Sequence, residues 1–372
     1  MNLTNLIREN FVRVTPETNI SKIVSKMMKG EEVVVVCDEN NFIGIISAND
    51  IIDRDYPIET KAKTLVRKNI PKIEGDVDFI KAAKIFLENN IKAIPIFFKD
   101  ELTGLLYEKD FIMNSDCLKE IDKTTEDIAS VPEVIEKNES IGKARTIIKE
   151  NNISRLPVVD EEGKLIGIID IEDFLKTVNP KESVGREDNV GDSIPEYKFP
   201  VTTIMNSNPL SIDGGISCNK AIKLLRKHDS SYILITKEKK PVGIITSKDI
   251  LEMIASSVKK EGVYVQITGL GEIEDSFDMD KIDDAIEDSV KKIGRIYEDI
   301  EYIFVHIKSS QKKGERRLYS IRTRIFTPVG LYVSKSSGWN PIATIDEALG
   351  RLERQIIEEH EKQRDLKRPK NP

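Results

Sequence analysis

Four times along the chain a glycine stands six residues ahead of an aspartate inside the same apolar frame: FIGIISANDII at 42–52, LTGLLYEKDFI at 102–112, LIGIIDIEDFL at 165–175 and PVGIITSKDIL at 241–251. The pairs are Gly44/Asp50, Gly104/Asp110, Gly167/Asp173 and Gly243/Asp249. Self-similarity at this period means that the chain is assembled from copies of one small supersecondary unit. About twenty residues before each glycine, a small or branched residue is followed by two bulky apolar ones. These are Val24 with Met27 and Met28, Ala83 with Phe86 and Leu87, Ala144 with Ile147 and Ile148, and Ala221 with Leu224 and Leu225. Spacing of three and four marks one face of a helix. Between helix and glycine lies a short run (VVVVC at 33–37, AIPIFF at 93–98, RLPVVD at 155–160, YILIT at 232–236) that reads as a buried strand. A polar turn follows, a second strand passes through the glycine, and the aspartate opens another helix. Each copy is therefore expected to run β-α-β-β-α, and a unit this small must pair with a neighbour to bury enough surface.

These copies resemble the CBS (cystathionine β-synthase) domain over roughly 10–255. The resemblance implies an α/β fold of two CBS-domain pairs, repeats 1 and 2 forming one and repeats 3 and 4 the other. The divisions are expected at 1–56, 57–116, 117–178 and 200–257, with a linker at 179–199 where Pro180, Gly185, Gly191 and Pro195 break regular structure. It also implies an adenine nucleotide (AMP, ADP or ATP) as regulatory ligand in the cleft of a pair. Stacking of pairs into a homodimer is a further implication.

In ligand-binding members of that family, a Ser or Thr three residues before the Asp contacts phosphate and the Asp holds the ribose hydroxyls. Ser47 with Asp50, and Thr246 with Asp249, match that pattern. Repeat 2 has Tyr107 in place of the hydroxyl residue, and repeat 3 has Asp170, which would repel a phosphate. Each pair thus carries one matching and one departing site. A helix start offers free backbone N–H groups to an anion, and a carboxylate suits a ribose diol. Ser-x-x-Asp and Thr-x-x-Asp read equally as helix-capping boxes, and one helix end can serve both purposes.

The pattern changes from Gly262. Strands are expected at 263–270, 302–310, 317–327 and 331–337. A helix is expected over 280–297, with Ile282, Ile286, Ile293 and Tyr297 on one face, and a last helix from Pro341 with Ile342, Ile345, Leu349, Leu352 and Ile356. The order β-α-β-β-β-α makes 262–363 an α+β domain, followed by a basic tail at 364–372. Its VQITGL and VHIKSS strands and the run ATIDEALGRLERQ resemble the ribosome hibernation-promoting factor family. That resemblance implies contact with the small ribosomal subunit and its rRNA, and inhibition of translation. Charge agrees on one side: 302–372 holds 15 Lys and Arg against 8 Asp and Glu, whereas 272–301 holds 4 against 12. The candidate RNA-binding residues are Lys308, Lys312, Lys313, Arg316, Arg317, Arg322, Arg324, Lys335, Arg351 and Arg354. The same charges also read as a solvated face with ordinary pairs such as Glu347–Arg351. The acidic first helix (Asp278, Asp280, Asp283, Asp284, Glu287, Asp288) departs from the family's basic character, so it either faces away from RNA or marks a shifted docking surface.

No apolar run approaches the length of a membrane helix, and MNLTNLIREN lacks the pattern of a secretion signal, so a cytoplasmic protein is expected. Cys37, Cys117 and Cys218, and His228, His306 and His360, are too scattered for a metal site or a disulfide framework. There is no phosphate-binding G-x-x-x-x-G-K-[ST] loop and no nucleophile with an evident base, so neither catalytic residues nor a cofactor are expected. The residues and both resemblances point to an adenine-nucleotide-sensing regulator that occupies the small ribosomal subunit. The alternative is a nucleotide sensor that controls an enzyme or transporter by protein contact, with no RNA role.

Overall fold

The computed structural model describes residues 3–39, 41–52, 56–75, 78–114, 124–151, 153–178, 196–256, 263–269, 273, 280–297, 300, 302–311, 317–327 and 330–367. The chain divides into two compact units. The first holds 1–126, 131–148 and 153–255; the second holds 256–372 with the short stretches 127–130 and 149–152.

Each repeat of the first unit forms a small mixed sheet covered by a helix. In repeat 1 the two-residue strand Arg13–Val14 runs parallel to Val33–Asp38, which pairs antiparallel with Asn41–Ser47. Helix Ile20–Met27 packs on it through Ile20, Ile23, Val24 and Met27. Met28, expected on that face, is the C-cap residue and is 38% exposed. The other repeats have the same order, with first buried strands Ala93–Phe98, Arg155–Val159 and Tyr232–Lys237. The middle residues of these runs are apolar because both faces are covered. In repeat 2, Asp78 caps helix Phe79–Asn89 by accepting from the Lys81 N–H at 3.1 Å, and Asn90 ends it in the left-handed region.

The recurrent glycine has a steric cause. At Gly44 a Cβ would lie 2.0 Å from the Arg67 carbonyl oxygen. At Gly104 it would meet Ile7 Cγ2 at 2.3 Å, and at Gly167 Met205 Sδ at 2.6 Å and the Asn206 oxygen at 2.9 Å. A backbone segment from outside the repeat crosses the second strand at each of these positions, and only glycine admits it. The crossings join the pairs. Ile7–Arg8, near the start of repeat 1, pairs with Glu101–Tyr107 of repeat 2, while Arg67, near the start of repeat 2, bridges to Ile45 of repeat 1. Asn206, near the start of repeat 4, bridges to Ile168 of repeat 3.

Repeats 1 and 2 also meet through the edge-to-face rings of Phe42 and Phe97, 5.5 Å apart. Repeats 3 and 4 meet through Arg155, which donates to Ser231 Oγ at 2.6 Å. Contacts between the pairs close a ring. Repeats 1 and 3 share one core in which Ile20, Ile51, Ile141, Phe174 and Leu175 are buried together. Two arginines cap helix ends across the ring: Arg145 of repeat 3 donates to the Ile52 carbonyl at 2.6 Å, and Arg226 of repeat 4 donates to that of Met113 in repeat 2. A cation at a helix C-terminus satisfies orphan carbonyls and complements the dipole.

The second unit has the expected β-α-β-β-β-α order. Tyr264–Thr268 runs parallel to Tyr302–Gln311, followed by antiparallel Arg317–Thr327 and Gly330–Gly338. Helices Asp280–Gly294 and Pro341–Lys367 cover one face, burying Ile282, Ile286, Ile293, Ile303, Val305, Ile321, Ile345, Leu349, Leu352 and Ile356. His306 is 7% exposed and its ring nitrogen bonds to the Thr268 hydroxyl, a structural role.

Candidate ligand chamber and basic surface

The four glycine–aspartate segments end in helix starts, and in repeats 1, 3 and 4 the aspartate turns back on its own cap. Asp50 Oδ2 accepts from both the Ser47 N–H and the Ser47 hydroxyl at 2.7 Å. Asp249 Oδ2 accepts from the Thr246 N–H at 2.5 Å and its hydroxyl at 2.6 Å. Asp173 accepts from the Asp170 N–H at 2.8 Å. The capping geometry that the sequence allowed is therefore present at both matching sites, with a hydroxyl and a carboxylate side by side at a helix N-terminus. Asp249 is 3% exposed and Ser47 6%.

Two arginines outside the sequence motifs complete the sites of the first pair. Arg8 grips Asp110 with a two-pronged fork, Nε to Oδ2 at 2.5 Å and Nη2 to Oδ1 at 2.7 Å, and stacks 4.6 Å over the Tyr107 ring. Burial, with nearby carboxylates, pushes the Tyr107 phenol up to about 12, so it stays neutral beneath the guanidinium. Arg67 stands 3.3 Å from Asp50 and donates to the Asn90 carbonyl at 3.1 Å. The signal existed in the sequence: LIREN at 6–10 and LVRKN at 65–69 are a second, shorter repeat that carries both arginines. Asp170, expected to repel phosphate, is instead 2.8 Å from Arg155 and is locally neutralised.

Where the four repeats converge there is a chamber of about 1080 Å³. Residues at or next to the start of each first strand and the end of each second strand line it: Glu32 and Ser47, Lys92 and Glu108, Arg155 and Asp170, Ser231 and Ser247. Ser47 is the one sequence-assigned residue among its lining; Asp50, Thr246 and Asp249 are not part of it. Lys92 pairs with Glu108 at 2.7 Å and Lys109 with Asp229 at 2.6 Å. At Lys92 burial opposes the charge, but Glu108 overrides it and the ammonium pKa lies above its ordinary value. Glu32 and Glu172 are raised, chiefly by burial; Glu172, also repelled by Asp170 and Glu32, reaches about 7.

In the second unit the candidate RNA-binding cations fall into three groups. Arg351 and Arg354 are exposed on helix Pro341–Lys367, Arg351 donating to the Lys335 carbonyl at 2.7 Å and lying 2.5 Å from Glu347. Lys308, Arg317 and Lys335 are half-buried on the strands. Arg322 donates to Ser130 Oγ at 2.9 Å, and Arg324 is 2% exposed, so its guanidinium is enclosed. Lys312, Lys313 and Arg316 lie outside the described residues, as do Cys117, most of the 179–199 linker and the end of the basic tail. In the acidic helix, Asp283, Asp284, Glu287 and Asp288 are exposed while Ile282, Ile286 and Ser289 are buried, and Ser289 donates to Glu353 at 2.6 Å. Among the described residues no helix is long and apolar enough to cross a membrane, and no group of three or more His, Cys, Asp or Glu could hold a metal ion.

Residues 3–56, 62–115, 120–179 and 201–256 match the CBS domain, and the chain belongs to the CBS-domain family. Residues 264–371 match the C-terminal domain of hibernation factor Hib. Protein MJ1404 of Methanocaldococcus jannaschii is 30% identical over 339 residues, 89% of this chain and 79% of that one. A 33.4 kDa protein in a ribosomal RNA operon of Thermofilum pendens is 23% identical over 243 residues, 65% of this chain and 80% of that protein. The crystal structure of protein MJ1225 from Methanocaldococcus jannaschii superposes with a TM-score of 0.60 at 23% identity, covering 68% of this chain and all of that one, which shows the shared fold. Inosine-5'-monophosphate dehydrogenase of the same organism matches at 26% over 151 residues, 30% of the enzyme, and that likeness is confined to CBS domains.

Proposed function

We propose that this protein is an adenine-nucleotide-sensing regulator that binds the small ribosomal subunit and inhibits translation by occupying it. The observation that carries the reading is the union, in one chain, of four CBS repeats with a region that matches a hibernation-factor domain over 264–371. A relative in a ribosomal RNA operon supports the ribosomal half. In the nucleotide half, Ser47 with Asp50 and Thr246 with Asp249 present a hydroxyl and a carboxylate at helix starts, the pairing that phosphate and ribose need. Lys308, Arg317, Lys335, Arg351 and Arg354 supply the charge for rRNA phosphates, and such contact weakens steeply with salt. Enclosed Arg324 takes a structural part in this reading. Coupling requires that the nucleotide favour one conformation of the protein; a ligand that binds two states equally shifts nothing.

Co-sedimentation of the full-length protein with ribosomal subunits, with AMP, with ATP and without nucleotide, tests the proposal. Small-subunit binding whose extent changes with nucleotide is the expected outcome. Protein that stays at the top of the gradient at low salt in every condition refutes the ribosomal reading.

A further inference from the structure

The sheet of the second unit has a charge pattern that its fold does not require. Its four strands carry five Lys or Arg and no Asp or Glu. Ile303, Val305, Ile307, Tyr319, Ile321 and Ile325 are buried in one core with the helices. Alternation therefore puts Lys308, Arg322 and Arg324 on the opposite face. Lys335 lies directly across from Arg322 and joins them there. Like charges set opposite one another on a sheet work against its formation. A face meant only for packing would be served by apolar side chains, as the helix-facing side is.

This face is covered. The second unit includes two stretches from earlier in the chain, 127–130 and 149–152, and both reach it. Arg322 Nη2 donates to Ser130 Oγ at 2.9 Å, Arg324 Nη2 to the Ile128 carbonyl at 3.5 Å, and Ser320 Oγ to the Glu150 carbonyl at 2.6 Å. Ile128 and Ser130 are each 3% exposed. Enclosing a guanidinium costs free energy unless it is hydrogen-bonded, and the contacts to Ser130 and Ile128 offset that cost. A phosphate oxygen would offset it better, because an ionised acceptor bonds a guanidinium more strongly than a hydroxyl or a carbonyl does.

We infer that these two stretches are an autoinhibitory cover: they occupy a cationic sheet face that the rRNA backbone would take, and RNA binds in competition with them. The inference rests on the ribosomal reading above and adds the regulation of that site. Lys308 and Lys335, half-buried on this face, gain access to phosphates when the cover withdraws, and Arg322 is released with them, whereas Arg324 anchors the cover. The apparent affinity for RNA is then the affinity of the uncovered form reduced by the fraction of molecules that are uncovered. A change that loosens the cover raises the affinity, and one that tightens it lowers the affinity, with every cation that meets RNA left in place.

Ser130 lets both directions be tested in the full-length protein, by co-sedimentation with small ribosomal subunits titrated at one low salt concentration. Ser130→Ala removes an acceptor of Arg322 and should tighten binding; Ser130→Asp gives Arg322 a carboxylate and should weaken it. Each change should be roughly tenfold, the scale of one hydrogen bond to a charged group. Both substitutions are small, and an unchanged circular dichroism spectrum shows that each variant is folded. Tighter binding by Ser130→Ala together with weaker binding by Ser130→Asp supports the cover. A wild type that binds subunits, with both variants equal to it or in the reverse order, overturns the cover and leaves the ribosomal reading standing. Failure of all three proteins to bind overturns the ribosomal reading and this inference with it, so the two failures are distinguishable.

Discussion

Replacing Gly44 by alanine tests the account of the repeat most directly. The new Cβ would stand 2.0 Å from the Arg67 carbonyl oxygen, 2.7 Å from its carbon and 2.8 Å from Val66 Cγ2. Two of these atoms are backbone, so no side-chain rotation relieves the collision. The crossing segment must withdraw, which breaks the Ile45 N–H to Arg67 O bond at 3.3 Å and the Arg67 N–H to Ile45 O bond at 3.0 Å. Overpacking costs about 1–3 kcal/mol, and two lost backbone hydrogen bonds add about 0.5–1.5 kcal/mol each. The expected destabilisation is about 2–6 kcal/mol, a large share of a typical domain's total stability. Gly104 and Gly167 first meet side-chain atoms, Ile7 Cγ2 and Met205 Sδ, which can move, so alanine there should cost less. Urea denaturation can separate the two units, because the single tryptophan, Trp339, belongs to the second. Circular dichroism should show an early transition in Gly44→Ala while the Trp339 fluorescence midpoint stays put. Gly350→Ala, inside helix Pro341–Lys367 with nothing within 4 Å of its Cβ, should shift the fluorescence midpoint upward, by about 0.5–1 kcal/mol in stability. A Gly44→Ala protein with an unchanged dichroism midpoint would refute the steric explanation of the repeated glycine.

Asp50→Ala combined with Asp249→Ala should lower adenine-nucleotide affinity by about tenfold or more in calorimetry, from the loss of charged hydrogen bonds; unchanged affinity would leave these residues as helix caps alone. Replacing Lys308, Arg317, Lys335, Arg351 and Arg354 together by glutamate should abolish co-sedimentation with the small subunit at low salt, and a retained steep salt dependence would place the contact elsewhere. The Glu172 carboxyl, raised to about 7, binds a proton more readily in the folded chain than in the unfolded one. Its contribution to stability is therefore complete at low pH and is lost as pH rises toward about 7. Thermal unfolding of Glu172→Gln should show a flatter dependence over that range than the wild type.

The period of the sequence determined the unit. A glycine six residues before an aspartate, preceded by a helical i, i+3, i+4 triad and a short branched run, leaves few folds open, and the four small sheets follow from it. The order of the C-terminal elements was equally plain, because strand alternation and helical spacing are local signals. The pairing of repeats 1 with 2 and 3 with 4 came from the family resemblance, and the crossing segments at Arg8, Arg67 and Asn206 realise it.

Closure of the ring was decided by tertiary structure alone. No local pattern states that Arg145 will cap the helix ending at Ile52, that Lys109 will meet Asp229, or that Glu32 and Glu172 will share a chamber. These contacts join residues from about ninety to one hundred and forty positions apart, where sequence spacing carries no geometric information. The same holds for Arg8 and Asp110. Each is legible as a charged residue, but only the crossing of Ile7–Arg8 over the second strand of repeat 2 makes them a pair. Arg322 and Arg324 share a face of their strand as alternation requires, yet their exposure differs because burial depends on what packs above each side chain. Local chemistry fixed which residues each repeat would place at its helix starts; the assembly of four repeats decided which charges would meet, as Arg8 meets Asp110 and Lys109 meets Asp229.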